Sequence, residues 1–251
     1  MRTILIIGIG AGDPDYLTVQ AIKALNRADV LFIPDKGEEK ADLRRLRTEI
    51  CERYIDKPGY RTVAFPMPRR AEAGDDYRRA VDEWHARIEA GYADLIEREL
   101  ADSECGAFLV WGDPALYDSM IRIVERMCAR GLALDWQVVP GISAVQALAA
   151  RHRVPLNRIG EPLLITTGRK LGEAMPEAGD AVVMLDGEQA FARIEPGDLD
   201  IYWGAYLGTA DEILIAGRLA EVRESIVEER KRAREAKGWI MDTYLLRRRG
   251  S

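Results

Sequence analysis

The stretch ILIIGIGAGDPDYLT, Ile4 to Thr18, decides how the chain is read. An apolar run ends in three glycines, and the segment YLTVQAIKALNRA after it places Leu17, Ala21, Ala24, Leu25 and Ala28 at helical spacing. Strand, tight loop and helix in that order form the first unit of a parallel α/β sheet. A dinucleotide loop of the form G-x-G-x-x-G needs glycine at positions 8, 10 and 13, and Gly8 and Gly10 comply. Position 13 is Asp13, followed by Pro14. Aspartate before proline predicts an N-cap at Asp13 with Pro14 in the first helical turn. Its carboxylate then takes the N–H groups that would hold a phosphate and sets a like charge beside them. Asp35, at the end of the second apolar run, stands where a ribose-binding acid would. A partial glycine match with an acid at position 13 still argues against a pyrophosphate.

Outward from that loop, the first half alternates apolar runs with amphipathic segments. DVLFIPD, YRTVAFPM, GAFLVWG and LALDWQVVP are predicted strands. KADLRRLRTEICERYI, Asp75 to Ala101 and Tyr117 to about Ala129 are predicted helices. This pattern predicts a mostly parallel sheet covered on both faces. In the second half PLLITTG, DAVVMLDG, LDIYWGAYLG and DEILIAGRL come close together, and the charged helical run ESIVEERKRAREAKG precedes an extended WIMDTYLL. Bunched strands with fewer helices predict a mixed sheet. Pro140 and Gly141 in VVPGIS break the chain, so the expected division is a first lobe over residues 1–139 and a second over 140–251. In two open α/β lobes the expected binding place is the cleft at the carboxyl ends of their strands.

Composition narrows the function classes. The 251 residues are 47% hydrophobic and 31% charged, which is the composition of a folded globular chain. A net charge of −6, with only a short basic tail RRRGS, argues against a nucleic-acid partner held by phosphates. No apolar run reaches membrane-spanning length, and the start lacks the pattern of a secretory signal. Cys51, Cys105 and Cys128 are scattered, and His85 and His152 are the two histidines, so thiols in a reducing cytoplasm are expected rather than disulfides or a metal site.

Two further loops share the character of the first. LVWGDPALY repeats Gly-Asp-Pro at Gly112, Asp113 and Pro114, and VVPGISA places Ser143 to cap the helix after it. Singly, each is also an ordinary strand-to-helix turn. Together they set three backbone-rich turns at strand ends, suited to a ligand held by main-chain groups without phosphates.

GIGAGDPDYLTVQAIKALNRADVLF, GDPALY, VVPGISA and GTADEILIAGRL resemble, in order and spacing, the tetrapyrrole methylase family, across nearly the whole chain. The resemblance implies two α/β lobes of the class III methyltransferase kind and S-adenosylmethionine as methyl donor. It implies cofactor contacts at Trp111, Gly112, Asp113 and Leu116, at Ser143 and Ala144, near Met184 or Leu185, and near Tyr206 to Gly208. The opening loop, with Gly10, Gly12 and Asp13, is implied to face the tetrapyrrole. Many relatives have Gly-Pro-Gly where this chain has Gly10-Ala11-Gly12. A homodimer is implied as well. Within the family, IPDKGEEKADLRRLR, ITTGRKL and YWGAYLG are most similar to the branch of aerobic cobalamin synthesis that methylates a precorrin ring carbon and releases acetate.

Methyl transfer to an electron-rich ring carbon gains mainly from placement and water exclusion. Loss of acetate needs water attack on an acetyl group, and Asp13, Asp35, His85, Asp113 and Glu188 are the candidates to assist it. The carboxylates of a precorrin call for local cations, and Arg69 and Arg70 in FPMPRR are the expected pair. Three alternatives remain open: another tetrapyrrole C-methylase, a relative that modifies ribosomal RNA, and a non-catalytic nucleotide- or tetrapyrrole-binding module.

Overall fold

The opening apolar run is strand β1 (Arg2–Gly8), and its alternate side chains are buried on both sides. In the computed structural model, which describes residues 1–35, 41–66, 77–174 and 179–249, the chain divides into two compact units. The first comprises residues 1–10 and 14–142, the second residues 11–13 and 143–251.

In the first unit β1 is succeeded by α1 (Val19–Leu25), β2 (Val30–Asp35), α2 (Ala41–Tyr54), β3 (Arg61–Pro66), α3 (Tyr77–Glu99), β4 (Cys105–Val110), α4 (Met120–Ala129) and β5 (Leu134–Val139). Among the described residues all its strand pairs are parallel, in the order β3-β2-β4-β1-β5. Ile4 and Ile6 pack on one face with Ile88, Tyr92 and Ile96 of α3 and Ile123 and Val124 of α4. Leu5 and Ile7 pack on the other with Ala21 and Leu25 of α1 and Ile50 of α2. Burial on both faces explains why β1 reads as a continuous apolar run rather than an alternating one. Each such side chain contributes about 1.5–3 kcal/mol of transfer free energy. The chain therefore leaves β1 toward one face and its neighbour β4 toward the other. That divergence is the topological switch point at which open α/β sheets bind ligands.

The second unit holds α5 (Ala144–His152), β6 (Leu163–Thr167), α6 (Gly168–Ala174), β7 (Asp180–Met184), β8 (Leu199–Ala205), β9 (Ile213–Arg218), α7 (Leu219–Lys237) and β10 (Asp242–Arg248). Its sheet is mixed, as the bunched strands predict. The order is β6-β7-β10-β8-β9, with only the β6–β7 pair parallel among the described residues. Its largest core cluster contains Trp203, Tyr244, Phe191 and Ile201, closed by Leu219, Ile226 and Ala233 of α7.

Three local expectations are corrected. Asp13 does not cap α1. A single 3-10 turn, Pro14–Tyr16, comes first, and Thr18 is the cap, its hydroxyl accepting the Ala21 N–H at 3.0 Å. Tyr117 is not helical but has φ +55°; α4 starts at Met120, whose N–H donates to Asp118 Oδ1 at 2.7 Å. Residues 168–174 form α6, although the glycine at its head reads in sequence as the end of a strand.

Candidate functional site

In the first unit, register sets the geometry. Gly8 lies opposite Val110, and Ile7 opposite Val139, so the loops after β1, β4 and β5 leave the sheet at one level. There they interlock through main chain. Gly10 N–H donates to Gly112 O at 3.3 Å and Gly112 N–H to Gly10 O at 2.8 Å. Both glycines have positive φ, +80° and +69°, which a side chain would oppose. A β-carbon on Gly8 would lie 2.6 Å from Gly141 N and 2.9 Å from Gly112 O, so the three loops meet only because glycine stands at the contact.

Asp113 ties the second loop to the third. Its Oδ1 accepts the Ala115 N–H at 2.8 Å, and its Oδ2 accepts the Gly141 N–H at 2.9 Å. Leu116 N–H closes the turn on Asp113 O at 3.2 Å. With both oxygens so engaged, Asp113 is a bracing group. Trp111 and Leu116 stay half-buried on this turn. Gly10, Trp111, Gly112, Asp113 and Leu116 are thus brought together.

In the second unit, buried Ser143 heads α5 in a capping box. Its hydroxyl accepts the Val145 N–H at 3.2 Å and also meets Gln146 Oε1, while the Gln146 amide oxygen accepts the Ser143 N–H at 3.0 Å. Ala144 comes next, half-buried. Met184 ends β7, and Leu185 beyond it has φ +53° and is 62% exposed, a strained and wet position for leucine. Tyr206 follows β8 with φ +50°; its hydroxyl donates to Trp239 O at 2.6 Å, and burial raises its pKa. Gly208 N–H donates to Glu212 Oε2 at 2.8 Å, and Glu212 Oε1 accepts Arg151 Nε of α5 at 2.6 Å. Glu212 therefore links α5, which carries Ser143 and Ala144, to the turn that carries Tyr206 and Gly208. Gly12 belongs here too: a β-carbon on it would strike Leu207 O and lie 2.8 Å from Thr209 Cγ2. Asp13 is its neighbour in the same unit.

Arg69 and Arg70 lie outside the described residues, as do the side chains of Asp35 and His85. Glu188 is paired with Arg193 at 2.9 Å on the surface. Burial raises the thiol pKa of all three unpaired cysteines, Cys51 to about 11, which suits inert thiols.

Sequence reasoning missed the charged residues behind the end of β7 in the second unit. Arg230 sits in the charge run of α7, yet it falls four residues after Ile226 and three before Ala233, on the buried stripe. An arginine at an apolar register position was the available signal. Asp186, Tyr244 and Asp242 carried no signal of their own.

The profile of the Tetrapyrrole (Corrin/Porphyrin) Methylases matches residues 3–223. A precorrin-6A synthase [deacetylating] from a Sinorhizobium species is 58% identical over 250 residues, covering 99% of this chain and 96% of the relative. The crystal structure of a putative cobalamin synthesis related protein (CobF) from Corynebacterium diphtheriae superposes with a TM-score of 0.83 at 40% identity, covering 99% of each chain. A uroporphyrin-III C-methyl transferase from Thermus thermophilus, solved with S-adenyl homocysteine, shares the fold, with a TM-score of 0.58 at 18% identity over 97% of this chain and 91% of that one. Motif order, both sheets and these full-length likenesses agree, and the chain belongs to the tetrapyrrole (corrin/porphyrin) methylase family.

Proposed function

We propose that this chain is an S-adenosylmethionine-dependent C-methyltransferase of aerobic cobalamin synthesis, methylating precorrin-5 at ring carbon 1 with release of acetate to give precorrin-6A. The full-length likeness to the Sinorhizobium precorrin-6A synthase [deacetylating] carries this reading. The donor set of the loops fits the cofactor. Residues 8–18, 111–119, 141–146, 184–188 and 206–210 contain no lysine or arginine, and they offer main-chain groups with the apolar surfaces of Trp111, Leu116 and Leu185. Such a set suits a ligand without phosphates. Trp111, Gly112, Asp113, Leu116, Ser143, Ala144, Met184, Leu185, Tyr206 and Gly208 would hold it, and Gly10, Gly12 and Asp13 would meet the macrocycle.

Bound there, S-adenosylmethionine supplies an electrophilic methyl group. This chain's residues do the placing. The Gly10–Gly112 bridge and the Asp113–Gly141 bond set the loops before any ligand arrives, so little ordering remains to be done on binding. With the cofactor bound, Trp111 and Leu116 would keep water from the reacting centre. Asp113 braces the site rather than acting as the base for acetate release, because both its oxygens already accept main-chain N–H groups. We further propose a homodimer, which the family resemblance supports, and a cytoplasmic location, which the three unpaired thiols support.

The test is turnover of precorrin-5 with S-adenosylmethionine, followed by product mass and free acetate. One methyl gained and one acetate lost per macrocycle are expected. A methylated product that keeps its acetyl group would assign a different C-methylase step.

A further inference from the structure

Next to the exposed Leu185 lies a buried polar assembly. Asp186 is 3% exposed. Its Oδ2 accepts the Tyr244 hydroxyl and the Ala190 N–H, each at 2.7 Å, and its Oδ1 accepts the Glu188 N–H at 3.2 Å. Its main-chain oxygen accepts Arg230 Nη2 at 2.8 Å. Arg230 is 5% exposed and pairs through Nε with Asp242 Oδ2 at 2.9 Å, an oxygen that also accepts Trp203 Nε1 at 2.9 Å. Burial pushes the Asp242 carboxyl up against these partners, and pushes the Tyr244 phenol up as well. Gly168, where α6 starts, leaves room for Asp186: a β-carbon there would lie 2.7 Å from Asp186 Cβ and closer still to its carboxylate.

A buried arginine between two buried aspartates is weak support for stability, since apolar residues of the same volume often serve as well. Its use is geometric. Asp186 is held at side chain and main chain alike, and the residue before it is Leu185, in a left-handed conformation that leucine avoids.

We infer that Asp186, held by Tyr244 and Arg230, is a positioning residue that fixes Leu185 and the end of β7 in the conformation that meets the cofactor. The inference rests on the proposed cofactor contacts of Met184 and Leu185 and adds the device that sets them. Tyr244 and Arg230, both buried, act through Asp186.

Tyr244→Phe deletes one hydroxyl and keeps the ring. Arg230→Lys keeps the charge but loses the fork that reaches both Asp242 and Asp186 O. Arg247→Lys is the control. Arg247 Nε meets buried Asp180 Oδ2 at 2.7 Å and its Nη2 donates to Pro155 O at 2.7 Å, so the same kind of fork is lost between β10 and β7 at the other end of β7. Calorimetry with S-adenosylhomocysteine should show Kd raised about tenfold in Tyr244→Phe, the size of losing one hydrogen bond to a charged group. Arg230→Lys should lose at least as much. At saturating S-adenosylmethionine, kcat and the KM for precorrin-5 should stay as in the parent. Arg247→Lys should lower the thermal midpoint and leave Kd alone. Unchanged Kd in Tyr244→Phe overturns the inference, and so does an equal loss in Arg247→Lys. If Arg230→Lys does not fold, Tyr244→Phe decides. A parent protein that ignores S-adenosylhomocysteine overturns the proposed function instead, and the inference with it.

Discussion

At Gly141 the absence of a side chain is what lets two loops touch. A β-carbon there would strike Gly112 O and lie 2.8 Å from Gly8 C, and both neighbours are backbone that cannot swing aside. Gly141→Ala is therefore expected to lower the unfolding free energy by about 2–3 kcal/mol, the scale of overpacking in a filled site. Urea denaturation measures it, and a loss below about 0.5 kcal/mol would mean that the loops yield easily. The Gly-Asp-Pro turn was legible in the sequence because few residue types suit its geometry. What Asp113 binds was not. Its partner, the Gly141 N–H, is 28 residues away and becomes a neighbour only through the parallel register of β1 with β4 and β5.

Element by element, periodicity found most strands and helices, and the exceptions have physical causes. Asp13-Pro14 and Thr18 are both acceptable helix starts. The chain uses the first for a 3-10 turn and the second for α1. Gly168 and Gly172 depress helix propensity within α6, so that helix depends on packing, with Leu171 fully buried. In α7 the charge run hid a buried face, since Arg230 resembles its solvated neighbours in composition and differs only in register. Helix α5 makes a prediction through its last residue. The His152 ring nitrogen Nε2 lies 3.0 Å from Trp203 O, and burial lowers its pKa below the ordinary 6.5, outweighing the Trp203 carbonyl and Glu212, which raise it. The unfolded chain thus takes this proton first as pH falls. The stabilisation is whole above about pH 6.5 and is lost as pH drops through the lower folded value. His152→Gln should flatten that part of the stability profile between about pH 7 and pH 5, and urea midpoints across the range check it. A profile as steep as the parent's would assign the dependence to other groups.

For the molecule as a whole, the two units have separate sheets and separate core clusters. A ligand bound only by the folded chain raises its melting temperature. At about a hundredfold excess over Kd the gain is about 2.7 kcal/mol, or about 5–10 °C for a chain of this size. Scanning fluorimetry should show that rise with S-adenosylhomocysteine and none with NAD; the reverse pattern would return the opening loop to the dinucleotide class. The parallel and mixed character of the two sheets was legible from strand spacing. That Ala11–Asp13 groups with the second unit was not, because nothing in a glycine-rich loop announces which sheet it will serve. Those three residues bear on how such a protein can be built or divided. The coding region for the second unit is discontinuous: a short piece for residues 11–13 and a long one from residue 143 onward. No single cut in the gene yields both units intact, since a fragment beginning at Ser143 lacks the Gly12 that rests against Leu207 and Thr209. Recombination at the boundary near Ser143 would carry off an incomplete second unit.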